Sequence, residues 1–212
     1  MITLILRDLS QAWRTGGAML PVVFFLLVAT LFAFAIGPDA PLLARTGGGV
    51  LWMAALLAAL LPVDRLVEPD RLSGVLDQLA VRGQSDEGVA LAKLIAHWLS
   101  FGPPLMLAAL PASALLRLEA AVLLRLEAGL AIGTPALAAL GLTVSALTAG
   151  LRGAGALGGL LMLPLAVPVL IFGAGSLADE TGSALKLLAA ASLILVAGAP
   201  FAAGAALRAA RT

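Results

Sequence analysis

Long uncharged stretches alternate with short polar segments along this chain. Six stretches contain no Asp, Glu, Lys or Arg: 19–38, 47–63, 94–116, 130–151, 153–178 and 187–207. A helix needs roughly 20 apolar residues to cross a bilayer. The pattern therefore predicts an all-α polytopic membrane protein, in which six transmembrane helices form a single domain over residues 1–212.

The segment from residue 64 to residue 93 breaks this pattern with charged side chains. Its apolar positions recur at the spacing of one helix face, at Leu72, Val75, Leu76 and Leu79. Pro69 suits the first turn of a helix, and Gly83 suits the position just after the last turn. We therefore predict an amphipathic helix over residues 65–82, lying at the membrane surface between spans two and three.

This helix has two interpretations. It is either an interfacial anchor with no protein partner or a coupling helix that docks into a groove of a cytoplasmic ATPase. Acidic residues outnumber basic ones between residues 64 and 93, which favours a protein partner over anionic lipid. Under the second interpretation, the residues expected to contact the ATPase are Arg65, Asp70, Arg71, Leu72, Leu76, Asp77, Leu79 and Arg82. A further interfacial helix is predicted over residues 1–15.

Composition agrees with a membrane protein and narrows its chemistry. The chain is 61% hydrophobic and 12% charged, whereas soluble domains carry about 25% charged residues. It contains no cysteine, which excludes disulfides, thiol catalysis and thiolate metal sites. A net charge of +1 gives nucleic acid no strong attraction to the chain.

The orientation follows from the distribution of Lys and Arg. If the N-terminus lies in the cytoplasm, nine of the thirteen basic residues also fall on the cytoplasmic side. Basic residues are enriched in cytoplasmic loops. Both termini are therefore predicted to be cytoplasmic.

The sequence lacks the residues that several kinds of catalysis and transport require. The phosphate-binding loop G-x-x-x-x-G-K-[ST] is absent, so any ATPase that drives the protein must be another chain. The predicted spans hold almost no ionisable side chains, which argues against ion-coupled transport. His97, the single histidine, stands beside Trp98 and is interpreted as part of the aromatic belt rather than as a ligand. We predict a non-catalytic protein without a metal site.

Short runs spread in order over nearly the whole chain match a known pattern. They include Leu43-Ala44-Arg45, Trp52, Arg65-Leu66, Asp70, Gly74, Lys93, Ala96-His97-Trp98-Leu99, Gly133-Thr134-Pro135, 146–152 and 168–173. On these runs the chain resembles the heme exporter B family, the CcmB permease of cytochrome c maturation. It departs from the family pattern at Ser73, Asp77 and Gly153.

The resemblance implies an ABC-2-type permease subunit in the bacterial inner membrane. In that family an ATPase subunit, CcmA, binds from the cytoplasm, and a second membrane protein, CcmC, holds the heme. A small membrane subunit, CcmD, joins them. The implied function is to couple ATP hydrolysis to heme handling and to release of the heme-loaded chaperone, CcmE. Heme and ATP would then be held by partner subunits, with no cofactor bound directly by this chain.

Further partner contacts are expected at arginines outside the predicted helix. Three lie on the predicted outer side, Arg45, Arg117 and Arg125, and Arg152 lies on the cytoplasmic side.

Three other functions remain open at this point. An ABC permease that exports a lipid or a hydrophobic drug would share the same composition. A structural membrane scaffold would need no ATP. An intramembrane enzyme is disfavoured because the spans lack ionisable residues.

Overall fold

The structure is a computed structural model that describes residues 1–210, and within that range the chain forms nine α-helices and no strand. The helices are α1 (Ile2–Arg14), α2 (Met19–Ile36), α3 (Ala40–Leu60), α4 (Glu68–Leu72), α5 (Val75–Val81), α6 (Asp86–Leu115), α7 (Ala120–Thr148), α8 (Ala154–Gly175) and α9 (Ser183–Ala209). Six of them, α2, α3 and α6 to α9, are long and apolar enough to cross a membrane. The predicted fold class is confirmed.

The connections between the six long helices fall on two faces. We call one the N-terminal face (residues 1–18, 61–85, 149–153 and 208–210) and the other the opposite face (37–39, 116–119 and 176–182). Asp8 and Arg208 both contact the first turns of α6, through Lys93 and Glu87. Both ends of the described chain therefore lie on one face, as an even number of spans predicts.

Helix α7 is the centre of the bundle. It packs against α3, α6, α8 and α9. In the most apolar stretch of α7, 72% of the residues are buried, whereas in that of α2 only 17% are buried. Outward-facing leucine, isoleucine and phenylalanine side chains cover the remaining surface of α2, α8 and α9. Such a surface is stable in lipid rather than in water.

The packing around α7 depends on Trp52 of α3, whose side chain is fully buried. Its indole lies against Gly129 and Gly133 of α7 and Gly173 of α8, where a Cβ atom would approach the ring to between 2.5 and 3.0 Å. Since side chains larger than a hydrogen atom do not fit there, glycine at these positions is a packing requirement.

The single helix predicted over residues 65–82 is wrong. The segment forms a 3₁₀ turn (Val63–Arg65), then α4 and then α5, with a break at Ser73 and Gly74. Gly74 adopts a left-handed conformation with φ 69°, which glycine tolerates at no steric cost. The Ser73 hydroxyl donates to the Pro69 carbonyl at 2.7 Å and competes with the helical hydrogen bonds. The predicted stop at Gly83 is confirmed by its φ of 74°.

The break also changes which side chains share a face. Leu72 is 71% exposed, whereas Leu76 is 2% exposed. The four apolar positions therefore do not form one continuous face, because α5 starts at a new angle after Gly74.

The charged stretch from Arg117 to Glu127, between the third and fourth predicted spans, is mostly helical. The connection covers only residues 116–119, and α7 begins at Ala120, so Arg125 lies within α7. Arg45 likewise lies inside α3, in its second turn. A membrane helix can be longer than its uncharged stretch, because long charged side chains at its end reach the polar surface of the membrane. Of these outer arginines, only Arg117 lies in the connection, with φ 57°.

Candidate functional site

The segment 61–85 on the N-terminal face contains all eight residues that were expected to contact an ATPase, but it divides them into three groups. Arg65, Leu72, Asp77 and Arg82 are exposed, Arg71 and Leu79 are half-buried, and Asp70 and Leu76 are buried. The exposed group, together with Val81 at 89% exposure, forms the part of this segment that a partner can reach. We call Leu72, Asp77, Val81 and Arg82 the exposed patch.

The buried group holds the segment to the bundle. Leu76 and Leu79 pack with Val89 and Leu94 of α6 and with Leu207 of α9. Burying a leucine side chain contributes about 1.5–3 kcal/mol. Leu76 and Leu79 therefore anchor α5, and the contact predicted for Leu76 cannot be made while α5 stays packed in this position.

Asp70 belongs to a group of four charged side chains, Arg7, Asp8, Asp70 and Lys93, which we call the ion cluster. Lys93 Nζ donates to Asp70 Oδ2, to Asp8 Oδ2 at 3.3 Å and to the Leu66 carbonyl at 3.0 Å. Arg7 Nη2 lies 2.6 Å from both Asp70 Oδ2 and Asp8 Oδ1. The ion cluster joins α1, α4 and α6.

Burial makes the ion cluster more than a surface ion pair. The Lys93 side chain is 4% exposed, and those of Asp70 and Asp8 are 11% and 16% exposed. Burial opposes the charge of Arg7, but the hydrogen bonds and charge of Asp8, together with Asp70, outweigh it and raise the pKa of Arg7. Within the ion cluster, Asp8 and Asp70 therefore stabilise the charged form of Arg7.

The sequence did not indicate the ion cluster. Asp70 was expected on an exposed helix face, and Asp8 and Lys93 were not expected to meet it. The available signal was a lysine close to the start of an apolar stretch, where a buried cation needs a carboxylate partner. Periodicity could not identify that partner, since Asp70 and Asp8 lie 23 and 85 residues away from Lys93.

A second polar contact ties α4 to the connection between α7 and α8. Glu68 accepts hydrogen bonds from Arg71 Nη2 at 2.7 Å and Nε at 2.9 Å. The same carboxylate accepts the backbone N–H of Gly150 at 2.9 Å. Arg71 is therefore committed to Glu68, and both side chains hold α4 against residues 149–153.

The arginines expected to contact partners have different surroundings. Arg125 Nη1 donates to the Leu177 carbonyl at 2.8 Å, which joins α7 to the connection 176–182. Arg45, Arg117 and Arg152 are exposed. Arg125 therefore has a structural role on the opposite face, while the other three are accessible from outside the chain.

The connection 176–182 on the opposite face is ordered by Asp179. The backbone N–H of Ala184 donates to this carboxylate at 2.6 Å, and the hydroxyl and backbone N–H of Thr181 donate at 2.6 and 2.8 Å. These hydrogen bonds lower the pKa of Asp179 to about 2. Asp179 is therefore ionised at neutral pH and caps the start of α9.

His97 does not lie in the aromatic belt as expected. It is 3% exposed, and its ring lies 4.8 Å from that of Phe101. Neither ring nitrogen has a hydrogen-bond partner among the described residues. Leaving a buried polar group unsatisfied costs about 1–3 kcal/mol. By contrast, the neighbouring Trp98 Nε1 donates to Thr134 Oγ1 at 3.1 Å.

His97 lines a cavity of about 300 Å³ between α1 and the bundle. The ion cluster contributes Asp8, Asp70 and Lys93 to the same cavity. Within residues 1–210 no group of three or more His, Asp or Glu side chains is arranged to hold a metal ion. The arrangement is therefore a surface segment packed against the bundle, next to a cavity whose wall includes charged side chains.

Comparison with known proteins places the whole chain in one family. The family model described as CcmB protein matches residues 1–210. The chain is 46% identical to heme exporter protein B of Paracoccus denitrificans, with 98% of each chain covered. It is 44% identical to heme exporter protein B of Haemophilus influenzae, covering 98% of this chain and 96% of the relative. It is 43% identical to the protein of the same name from Escherichia coli K12, covering 95% and 94%. The chain therefore belongs to the CcmB family of membrane permeases.

Proposed function

We propose that this chain is the membrane subunit of an ABC-type complex that handles heme in cytochrome c biogenesis. The relatives are named heme exporter protein B and match along nearly their whole length. The sequence offers no nucleotide-binding loop, so a partner ATPase of the CcmA type supplies the energy. Heme is held by a membrane partner of the CcmC type and then by a chaperone of the CcmE type, and a small membrane subunit of the CcmD type joins the complex.

The observation that carries this proposal is the construction of the segment 61–85. Its exposed side chains, the exposed patch, comprise two apolar groups, an acid and a base. Its other polar side chains bond to α1 and α6 through the ion cluster and to residues 149–153 through Glu68. A force on the exposed patch is therefore passed to three parts of the bundle at once.

The mechanism follows from these contacts. Closure of the ATPase moves α4 and α5, and the ion cluster moves α1 and α6 with them. Glu68 carries the same displacement to the end of α7 and the start of α8. Helices α6 and α7 run from the N-terminal face to the opposite face, where residues 116–119 join them. Movement at this connection changes the contacts between this chain and the heme-bearing partners. The heme-loaded chaperone is then released.

The orientation is part of the proposal. The N-terminal face carries the exposed patch, and the ATPase is a cytoplasmic protein. The N-terminal face and both termini therefore lie in the cytoplasm, in the inner membrane of a bacterium. The excess of Lys and Arg on that face agrees with this orientation.

We expect Leu72→Asp combined with Val81→Asp to abolish co-purification of the ATPase subunit while the chain still folds. Leu72 and Val81 are 71% and 89% exposed, so the charge disturbs a partner groove rather than the bundle. Ser10→Asp adds a charge to an exposed position of α1 on the same face and should leave ATPase binding unchanged. If the double variant retains the ATPase at the wild-type level, the exposed patch is not the docking surface.

The function itself is tested in a deletion strain by covalent heme staining of c-type cytochromes. The heme-loaded chaperone is assayed in the same membranes. We expect c-type cytochromes to be lost while heme accumulates on the chaperone, as a release motor requires. Loss of both would instead give this chain a direct part in heme delivery. Normal c-type cytochromes would refute the proposal and favour export of a lipid or a hydrophobic drug.

A further inference from the structure

Helix α7 is covered by other helices along most of its length, but not near the opposite face. No residue from 132 to 146 is exposed, whereas five residues between 120 and 131 are exposed. These five are Ala120, Ala121, Leu124, Ala128 and Ala131. We call residues 120–131 the uncovered stretch of α7. The central helix of the bundle therefore has one open side at this end.

The uncovered stretch contains a carboxylate without a partner, that of Glu127. Its side chain is half-buried, and neither oxygen forms a hydrogen bond or an ion pair within residues 1–210. Oε1 is enclosed, whereas Oε2 stays accessible. Arg125 is only two residues away, but it points to the other side of the helix and donates to the Leu177 carbonyl. Glu127 therefore lacks a counter-ion on its own helix.

The depth of Glu127 makes the missing partner costly. Helix α7 has 29 residues, so it is about 43 Å long, whereas the hydrocarbon core of a bilayer is about 30 Å thick. Glu127 follows Ala120 by two helical turns and lies about 10 Å from the start of the helix. In a helix centred in the bilayer, this position is just inside the hydrocarbon core. A carboxylate at such a depth normally faces a protein partner or a polar cavity.

An apolar groove continues from the carboxylate along the same side of α7. The groove has a volume of about 340 Å³ and lies between α7 and α9. Its α7 wall is formed by Ala131, Ile132 and Pro135, and its α9 wall by side chains between 189 and 196. Ala131 lies one turn after Glu127, on the same face of the helix. The carboxylate and the groove therefore form one surface, which faces away from the bundle.

We propose that a transmembrane helix of a partner subunit lies along this surface, fills the groove and pairs a lysine or an arginine with Glu127. The charge that the surface lacks is positive, and a side chain on a helix can deliver it below the level of the lipid headgroups. The exposed alanines of the uncovered stretch allow a second helix to approach closely.

This inference rests on the proposed function, which places a membrane subunit of the CcmC type beside this chain. The connection 116–119 leads directly into the uncovered stretch. A partner helix paired with Glu127 would therefore follow the movement of that connection, as the proposed mechanism requires.

The first test is co-purification from cells that express this chain together with the CcmA-, CcmC- and CcmD-type subunits. We expect Glu127→Gln to lose the CcmC-type subunit and to keep the ATPase, because the ATPase is proposed to bind on the other face. Glu180→Gln removes an exposed acid from the connection 176–182 and should keep both. Retention of the CcmC-type subunit by Glu127→Gln would overturn the proposal. Loss of both partners would overturn it too, since the effect would then lie in the fold of the chain.

The wild-type chain in the same experiment separates this inference from the proposed function. If it keeps the ATPase but not the CcmC-type subunit, the partner named here is wrong. The function itself is decided independently by the heme staining of c-type cytochromes.

The second test measures the thermal stability of the purified chain alone in detergent. We expect Glu127→Leu to raise the unfolding temperature, because it removes a half-buried carboxylate that has no partner in the isolated chain. Glu180→Leu should leave it unchanged. A lower unfolding temperature for Glu127→Leu would give Glu127 a structural role within the chain and contradict the proposal. Phosphatidylethanolamine that stabilises the wild-type chain more than phosphatidylcholine does, but not Glu127→Gln, would assign the carboxylate to a lipid amine and overturn the assignment to a protein helix.

Discussion

Gly173→Ala is expected to destabilise the protein by about 1–3 kcal/mol, since overpacking forces side chains or helices apart. The added methyl group would fall 2.5 Å from Trp52 Cζ2 and 2.6 Å from Cε2. The indole cannot move aside, because it is fully buried between α3, α7 and α8. The same result is expected for Gly133→Ala, whose methyl group would fall 2.5 Å from Trp52 Cη2. Thermal unfolding of the purified chain in detergent measures both effects.

The matched control lies in the same helix. A Cβ atom at Gly159 of α8 would meet no atom within 4 Å, so Gly159→Ala should leave the unfolding temperature unchanged or raise it slightly. Trp52→Phe removes part of the ring that the new methyl group would strike. Gly173→Ala should therefore cost less in a Trp52→Phe background than in the wild-type chain. Equal stability of Gly173→Ala and Gly159→Ala would show that α3 and α8 do not pack in this way.

Lys93→Met is expected to destabilise the protein by about 3–5 kcal/mol, because removing one partner of a buried ion pair leaves an uncompensated charge. The Lys93 side chain is 4% exposed, and it donates to Asp70, Asp8 and the Leu66 carbonyl. Arg7 can compensate only part of the loss, since it already contacts both carboxylates. The unfolding free energy in detergent and the hydrogen exchange of α1 both report this change.

An exposed ion pair on the same face provides the comparison. Arg208 pairs with Glu87 at 2.5 Å, but its side chain is 52% exposed. Arg208→Met should have a much smaller effect, since exposed pairs contribute little. Combining Asp70→Leu with Lys93→Met should recover part of the lost stability, because the carboxylate that lost its lysine partner is removed as well. If Lys93→Met is no more destabilising than Arg208→Met, the ion cluster does not hold α1 and α4 to the bundle.

The ion cluster also separates docking from coupling in the proposed mechanism. Lys93→Met replaces no residue of the exposed patch, so the ATPase should still bind. The link from α4 to α1 and α6 is weakened, and release of the heme-loaded chaperone should then fall. Variants of the exposed patch should instead lose the ATPase itself.

Much of the architecture was predictable from local patterns. Six uncharged stretches identified six spans, because a helix in lipid must satisfy its own backbone and expose apolar side chains. The charge of residues 64–93 identified the surface segment, and Gly83 marked its end. The ordered runs from Leu43 to Gly173 indicated the family. Each of these signals lies within one element or in the order of elements, so no knowledge of neighbouring helices was needed.

Other features depended on contacts between distant parts of the chain. Periodicity assigned Leu72 and Leu76 to one face. With the left-handed turn at Gly74 between them, Leu72 is exposed and Leu76 is buried. Asp70 has the sequence context of a surface acid, but Lys93 and Arg7 surround it. His97 has the context of an interfacial residue, although Phe101 and α7 enclose it.

By itself, the sequence determined the number of spans, the position of the surface segment and the family, because hydropathy and residue order are properties of the linear chain. Only the tertiary structure decided which charges pair, which glycines face Trp52 and where the cavity lies. Those features depend on distances between residues that are far apart in sequence. The free energy of a buried charge or a close helix contact is set by the neighbours that folding brings to it.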